Sequence, residues 1–474
     1  MFSTRLSVVA ALAIAGLALM AAPATGAAFT THGRAPAADA AATVRTLPAP
    51  SRATASGTRL WLARFGGTHK LAFGDAVAAS PAGSAVFVTG QAATTKKFSH
   101  GVTLAYNSAT GAVLWRTSYD PVRGVATHFS GIAVSPDGST VFVTGEIARG
   151  LGKHGQSHFL TAAYDAASGD LIWSQTWGSA GTTTTITSSS IALSPGGSTV
   201  FVTGASDTTG RPTTVAYIAQ TGAVLWTQHA GGGSVAASTD GSAVFVTGSI
   251  AVGTPGIVAY NAATGATLWV ARASVTPRAL AVSPDGSKVF ITGWGLSSLA
   301  IGTQAFDATT GASLWTHTGT GTFTPSTLAV SPDSSTVYVT GFVSKLKHST
   351  IGKSYGTQAY DASTGATLWT ATWRPRVQSP GGGGAESAAV SPDGSTLFIT
   401  GVLPGPHDTG DGGYGTVAYD ASTGARLWTA THRGVGAAHS LAVSPDGSTV
   451  FVTGDVQTAG ATTKQTIVTI AYSS

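Results

Sequence analysis

The chain of 474 residues contains no cysteine. That absence excludes disulfides, thiolate metal sites, cysteine nucleophiles and a lipid-bearing anchor cysteine. Charged residues make up only 9% of the sequence, and Glu146 and Glu386 are its two glutamates. Acid–base chemistry therefore has few places to arise. The nearest to one is a segment that brings Glu146 close in sequence to His154 and His158. The formal charge of +5 comes without a dense basic stripe or a nucleic-acid module, so no nucleic-acid partner is expected. Beyond the first 22 residues no apolar run is long enough to cross a membrane as a helix. A phosphate-cradling glycine loop and a Gly-x-Ser-x-Gly nucleophile turn are also missing.

What is present begins with an export signature. Arg5 precedes an apolar stretch over 6–22, and small residues offer cleavage sites at 22–24 and 25–27. This predicts a signal peptide over 1–27 and a secreted protein, extracellular or associated with the cell envelope. Residues 28–55, rich in Ala, Pro and Thr, read as a flexible linker.

The remainder, 56–474, is one repeat array. The phrase Ala-Tyr-Asp-Ala-Ser-Thr-Gly-Ala-Thr-Leu-Trp stands at 359–369, and variants end at Trp115, Trp173, Trp226, Trp269, Trp315 and Trp428. The spacing between these tryptophans runs from 43 residues (Trp226 to Trp269) to 59 (Trp369 to Trp428), which indicates a repeat architecture, not several unrelated domains. One copy shows the grammar. Residues 388–390 form a short strand, and Ser391-Pro392-Asp393-Gly394 a tight turn. Residues 396–401 are β-branched and aromatic, hence a second strand. A variable loop leads to a third strand over 414–419, a second tight turn, and a fourth strand carrying Trp428. Four antiparallel strands in meander order make one propeller blade. The first half of the phrase recurs near Ser80, Ser135, Ser194, Ser238, Ser283, Ser331, Ser391 and Ser444, giving eight blades. The eighth is split: its fourth strand, with Trp61, opens the array, and its first three close the chain. The expected fold is all-β, a single eight-bladed β-propeller whose ring closes by pairing of the N- and C-terminal strands. Closure removes open sheet edges and leaves no need for a second subunit, so a monomer is expected. The eight repeated tryptophans, Trp61 included, are expected to be structural, docking one blade on the next.

The spacing Ala-x-Asp-x-x-x-Gly-x-x-x-Trp, met at 163–173, 305–315, 359–369 and 418–428, resembles the tryptophan-docking motif of the eight-bladed quinoprotein dehydrogenases and their non-enzymatic relatives. Asn107, Asn261 and Ile218 stand in the Asp position of other copies. In the enzymes of that family, pyrroloquinoline quinone (PQQ) and a calcium ion sit over the central channel. Many members also carry an adjacent cysteine pair, and acidic and amide ligands including a catalytic aspartate. No residue here maps onto those ligands, so the resemblance implies a non-enzymatic member without cofactor. A PQQ- and calcium-dependent dehydrogenase is the alternative.

Meander order puts the turns on one face and the loops on the other. The turn face is short-looped, repetitive and acidic. The loop face is variable and holds most lysines and arginines. Function in such scaffolds lives on the variable loops. The expectation is therefore a non-catalytic scaffold whose basic loop face binds a protein or cell-envelope polymer, through anionic or saccharide groups. Candidate contacts are the off-pattern aromatics Trp177, Trp294, Trp373 and Tyr119, with Arg123, His128, Lys345, Lys347, Arg374 and Arg376. No metal site is expected. His154 and His158 lie in a glycine-rich loop without a strong third ligand, and Asp408 and Asp411 lack the full calcium-loop pattern.

Overall fold

A computed structural model describes residues 55–474, apart from 67–70, 94–98, 121–124, 150–155, 179–186, 206–211, 252–253, 296–299, 321–322, 344–353, 376–382, 404–411 and 458–464. The segments read as signal peptide and linker lie outside the described residues, save Ala55. So do Arg123, Lys345, Lys347 and Arg376.

Eight four-stranded antiparallel sheets form the ring. Seven follow chain order: residues 72–119, 125–177, 187–228, 231–272, 275–320, 323–373 and 384–433 are blades 1 to 7. Blade 8 takes strands Val435–Val443, Thr449–Gln457 and Gln465–Ser473, and its fourth strand is Arg59–Phe65. The innermost strands of neighbouring blades pack against one another all the way round, blade 8 against blade 1 included, and so line a central channel.

Local chemistry explains each blade. Second strands read Val-Phe-Val-Thr-Gly or close variants and are buried, sandwiched by first and third strands. Their threonines are buried without penalty because each hydroxyl donates to a backbone carbonyl of a neighbouring strand: Thr89 to Val102 at 2.9 Å and Thr340 to Gly356 at 2.9 Å on the third strand, and Thr247 to Ser234 on the first. Fourth strands alternate: Leu114 is exposed and Trp115 buried, and the same alternation holds for Ile172 and Trp173.

The tryptophans join the blades. Trp173 lies 6.0 Å from Phe142 of its own blade and 6.0 Å from Tyr217 of the next. Its Nε1 donates to the Ala219 carbonyl in the next blade at 2.7 Å. Trp61, Trp115, Trp226, Trp269, Trp315 and Trp369 make the same bond to the same position. The glycine of the receiving turn has no alternative. Gly169 holds φ +77°, and a Cβ there would lie 2.6 Å from the Trp115 ring.

The seam rebuilds one such turn from the two chain ends. The strand Arg59–Phe65 pairs with Gln465–Ser473, from Arg59 opposite Tyr472 to Phe65 opposite Ile467. The Gly57 amide donates to the Ser473 carbonyl at 2.9 Å, as Gly111 does to Asn107 at 2.8 Å in blade 1. Ser473, Ser474, Ala55, Ser56 and Gly57 thus occupy the five places of Asn107 to Gly111. Trp428, whose ring packs against Gly57, is the exception among the eight: its Nε1 is buried without a hydrogen-bond partner.

Trp115→Ala is expected to destabilise the ring by about 3–5 kcal/mol, the usual cost of deleting a buried aromatic, as read by urea denaturation. A circular permutant that joins Ser474 directly to Ala55 and opens the chain at Ser274, between blades 4 and 5, should fold and melt cooperatively. An aggregated permutant would show that the split turn is not equivalent to the other seven.

The channel mouth as candidate functional site

The repeat serves as its own reference, because a side chain required for blade structure recurs in every blade. On the turn face nearly everything recurs. Asp137 accepts from the Ser135 hydroxyl at 2.5 Å and the Ser139 amide at 3.0 Å, and Asp240, Asp285, Asp333, Asp393 and Asp446 repeat the pattern. These bonds hold the carboxyls of Asp137, Asp240, Asp333, Asp393 and Asp446 below their ordinary pKa. The acidity of that face is turn chemistry, already saturated.

The channel end on the loop face is different. Each innermost strand has a register shift against the second strand. The cause is the glycine of Thr-Gly: a Cβ on Gly454 would lie 1.9 Å from the Ala437 carbonyl oxygen, so only glycine lets the two strands approach. The residue at the bulge stands five places before the serine that opens the first turn. Ser130, Ser189, Gly233 and Ser326 fill it in four blades, so the bulge itself needs nothing larger. In the others it is Asp75, Arg278, Glu386 and His439. A second position, just after Thr-Gly, is equally irregular and supplies Glu146, Trp294 and Asp455.

These two positions meet within blades. His439 Nε2 lies 2.8 Å from Asp455 Oδ1, and Gln465 Nε2 donates to Asp455 Oδ2. The Arg278 guanidinium sits 4.8 Å from the centre of the Trp294 ring. His128, two residues before the blade 2 bulge, joins them across blades: it lies 3.0 Å from Asp75 of blade 1 and opposite Glu146 in the strand ladder. The charges influence one another over longer spans, Arg278 with Glu386 two blades away and His128 with His439 two blades away. Such reach is open to side chains near the central axis.

Protonation follows from this clustering. Burial opposes the charged form of His439, but the hydrogen bond and charge of Asp455, with Asp75 and Glu386, outweigh it and push the pKa up to about 9. Burial likewise opposes the His128 imidazolium, and Asp75 with Glu146 holds it above the ordinary value. Burial lowers Arg278, with Glu386 opposing the shift.

The sequence-predicted contacts divide. His128 and Trp294 belong to the mouth, and Trp294 is 43% exposed. Arg374 is exposed after the fourth strand of blade 6. Tyr119 and Trp373, expected on an aromatic platform, are packing residues instead. Tyr119 ends the fourth strand of blade 1, packs on Phe129 at 5.9 Å and donates to Ser174 Oγ at 3.0 Å. Trp373 is buried edge-on against Tyr355 at 4.9 Å. Trp177 is half-buried against the core between blades 2 and 3. The reason is periodicity. Tyr119, Trp177 and Trp373 each lie four residues after the repeated tryptophan of their strand, so they share its inward face. The charged bulge residues Asp75, Arg278, Glu386 and His439 belong to no motif in the sequence. The signal was an alignment of the eight copies on their first-turn serine.

Two of the described carboxylates at the mouth are already committed and do not offer themselves to a calcium-bound quinone. Asp455 already engages His439 and Gln465, and Asp75 engages His128. Among the described residues no three His, Asp or Glu side chains are gathered to hold a metal ion.

Fold and repeat together define an eight-bladed propeller with a charged channel mouth. The chain belongs to the PQQ-like propeller family: the family model described as "Outer membrane protein assembly factor BamB" matches residues 157–293, 215–354 and 356–464, more than half of the sequence. No curated protein matches it at a significant level. Among solved structures, Chaetomium thermophilum Sqt1 bound to the N-terminus of the ribosomal protein L10 is similar at a TM-score of 0.59 with 12% identity, over 88% of this chain and 100% of that one. The Dos1 propeller gives 0.56 with 12% identity over 88% and 95%. Kuenenia stuttgartiensis hydrazine synthase gives 0.50 with 16% identity over 70% and 96%. At these identities the likeness concerns the fold.

Raising the pH from about 6.5 to 9 should cost stability, because the His439 pKa is higher folded than unfolded. The stabilisation is complete below about 6.5 and is lost as pH passes 9, on the order of 3 kcal/mol. Asp455→Asn should remove most of that dependence. A pH-independent melting temperature over this window in the parent protein would contradict the pairing.

Proposed function

We propose that the protein is an exported, non-catalytic scaffold that holds a protein partner on its loop face. One observation carries the reading. The turn face spends its polar groups on its own repeated hydrogen bonds, whereas the side chains without repeat equivalents gather at the loop-face end of the channel. Membership of a family described by an assembly factor supports a binding role, as does a similar propeller bound to a protein terminus. Export rests on the apolar N-terminal stretch that follows Arg5. An anionic cell-envelope polymer is the second reading, favoured by exposed Arg374 and Arg433 on the same face.

The test is capture from a solubilised cell-envelope fraction with the purified mature chain, partners being identified by mass spectrometry. Arg374→Glu with Arg433→Glu should abolish capture, and Lys288→Glu on the turn face should not. Capture lost only with the turn-face change would refute the reading. Stoichiometric, calcium-dependent binding of pyrroloquinoline quinone would replace it with the dehydrogenase.

A further inference from the structure

Resting on the reading that the loop face holds a protein, we infer that the channel mouth receives a basic side chain, lysine or arginine, projecting from that partner. The charged residues at the mouth are surplus to the fold, since serine or glycine makes the same bulge in four other blades. Their balance is negative. Among the described residues at the mouth, the four carboxylates of Asp75, Glu146, Glu386 and Asp455 outnumber the cations, Arg278 and the two histidines when protonated. Both histidines are drawn toward their protonated state by these carboxylates, so the field they sense is anionic.

The mouth also shows how it treats a cation. Arg278 stacks over Trp294 at 4.8 Å and is attracted by Glu386 from two blades away. An aromatic face within the field of a carboxylate is the chemistry that recognises guanidinium and ammonium groups. Only the bulge of blade 6, Ser326, separates Arg278 from Glu386 round the ring. A partner's basic side chain would therefore compete with Arg278 for the same surroundings, and opposite effects are expected from removing the internal cation and removing the carboxylate.

Isothermal titration of the full mature chain with tetralysine, and separately with tetraglutamate, tests this. Tetralysine should bind, weakening as salt rises, and tetraglutamate should not. Glu386→Gln should weaken tetralysine binding about tenfold. Arg278→Gln should tighten it several-fold, an outcome that misfolding cannot mimic. Asp393→Asn on the turn face should leave it unchanged. Preference for tetraglutamate, equal binding of both peptides, no binding of either, or weakening by Arg278→Gln would each overturn the inference. A chain that still captures its partner while failing these titrations would lose the basic side chain and keep the scaffold role. Failure of both measurements would remove both.

Discussion

The structure depends on one contact made between blades: an indole clamped between an aromatic ring of its own sheet, phenylalanine in all but one blade, and, in most blades, a tyrosine of the next, its N–H handed in every case but Trp428 to a carbonyl in the neighbour's turn. The contact buries a large apolar surface and satisfies the one polar atom that burial would otherwise orphan. It also dictates sequence elsewhere. The receiving turn must be flat enough to lie on the ring, so glycine is fixed there, and the turn must present its carbonyl, which aspartate or asparagine achieves by holding the following amides. Most of the repeated phrase is explained by this single geometry. That is why the phrase speaks for fold and not for activity.

A ring built this way separates demands. Outer strands and the turn face carry the packing and the hydrogen bonds that hold blades in place. Inner strands bulge, because a glycine lets two backbones meet, and each bulge gives the chain one position free of packing duty. Four blades leave that position small. Four use it for charge, and the charges collect where the inner strands converge. The mouth of the channel is thus assembled from residues far apart in sequence, from Asp75 in blade 1 to His439 in blade 8, without any loop having to position them.

The fold was legible because eight imperfect copies of one phrase reinforce each other, and because the broken copy pointed to ring closure. The strand order and the joining of the two ends follow from Trp61 lying at one extreme of the array and Ile467–Tyr472 at the other. The site was less legible. His128 and Trp294 stood out as departures from the pattern, but Asp75 and Glu386 hide in strands of alanine and serine, and only alignment of the copies exposes them. Tyr119 and Trp373 misled because they follow the repeated tryptophan closely and seemed to belong to loops. An even spacing along an extended strand instead returns them to the buried face. The loop-face lysines lie outside the described residues, and the described mouth carries the carboxylates of Asp75, Glu146, Glu386 and Asp455.

The split turn has an orientational consequence. Ser474 and Ala55 meet on the turn face, so the chain enters the ring at Ala55 on that side. A propeller tethered through that end would stand on its repetitive face with the channel mouth pointing away from the tether. Ala55 and the mouth then lie on opposite faces of the ring, the one at its rim and the other at its axis.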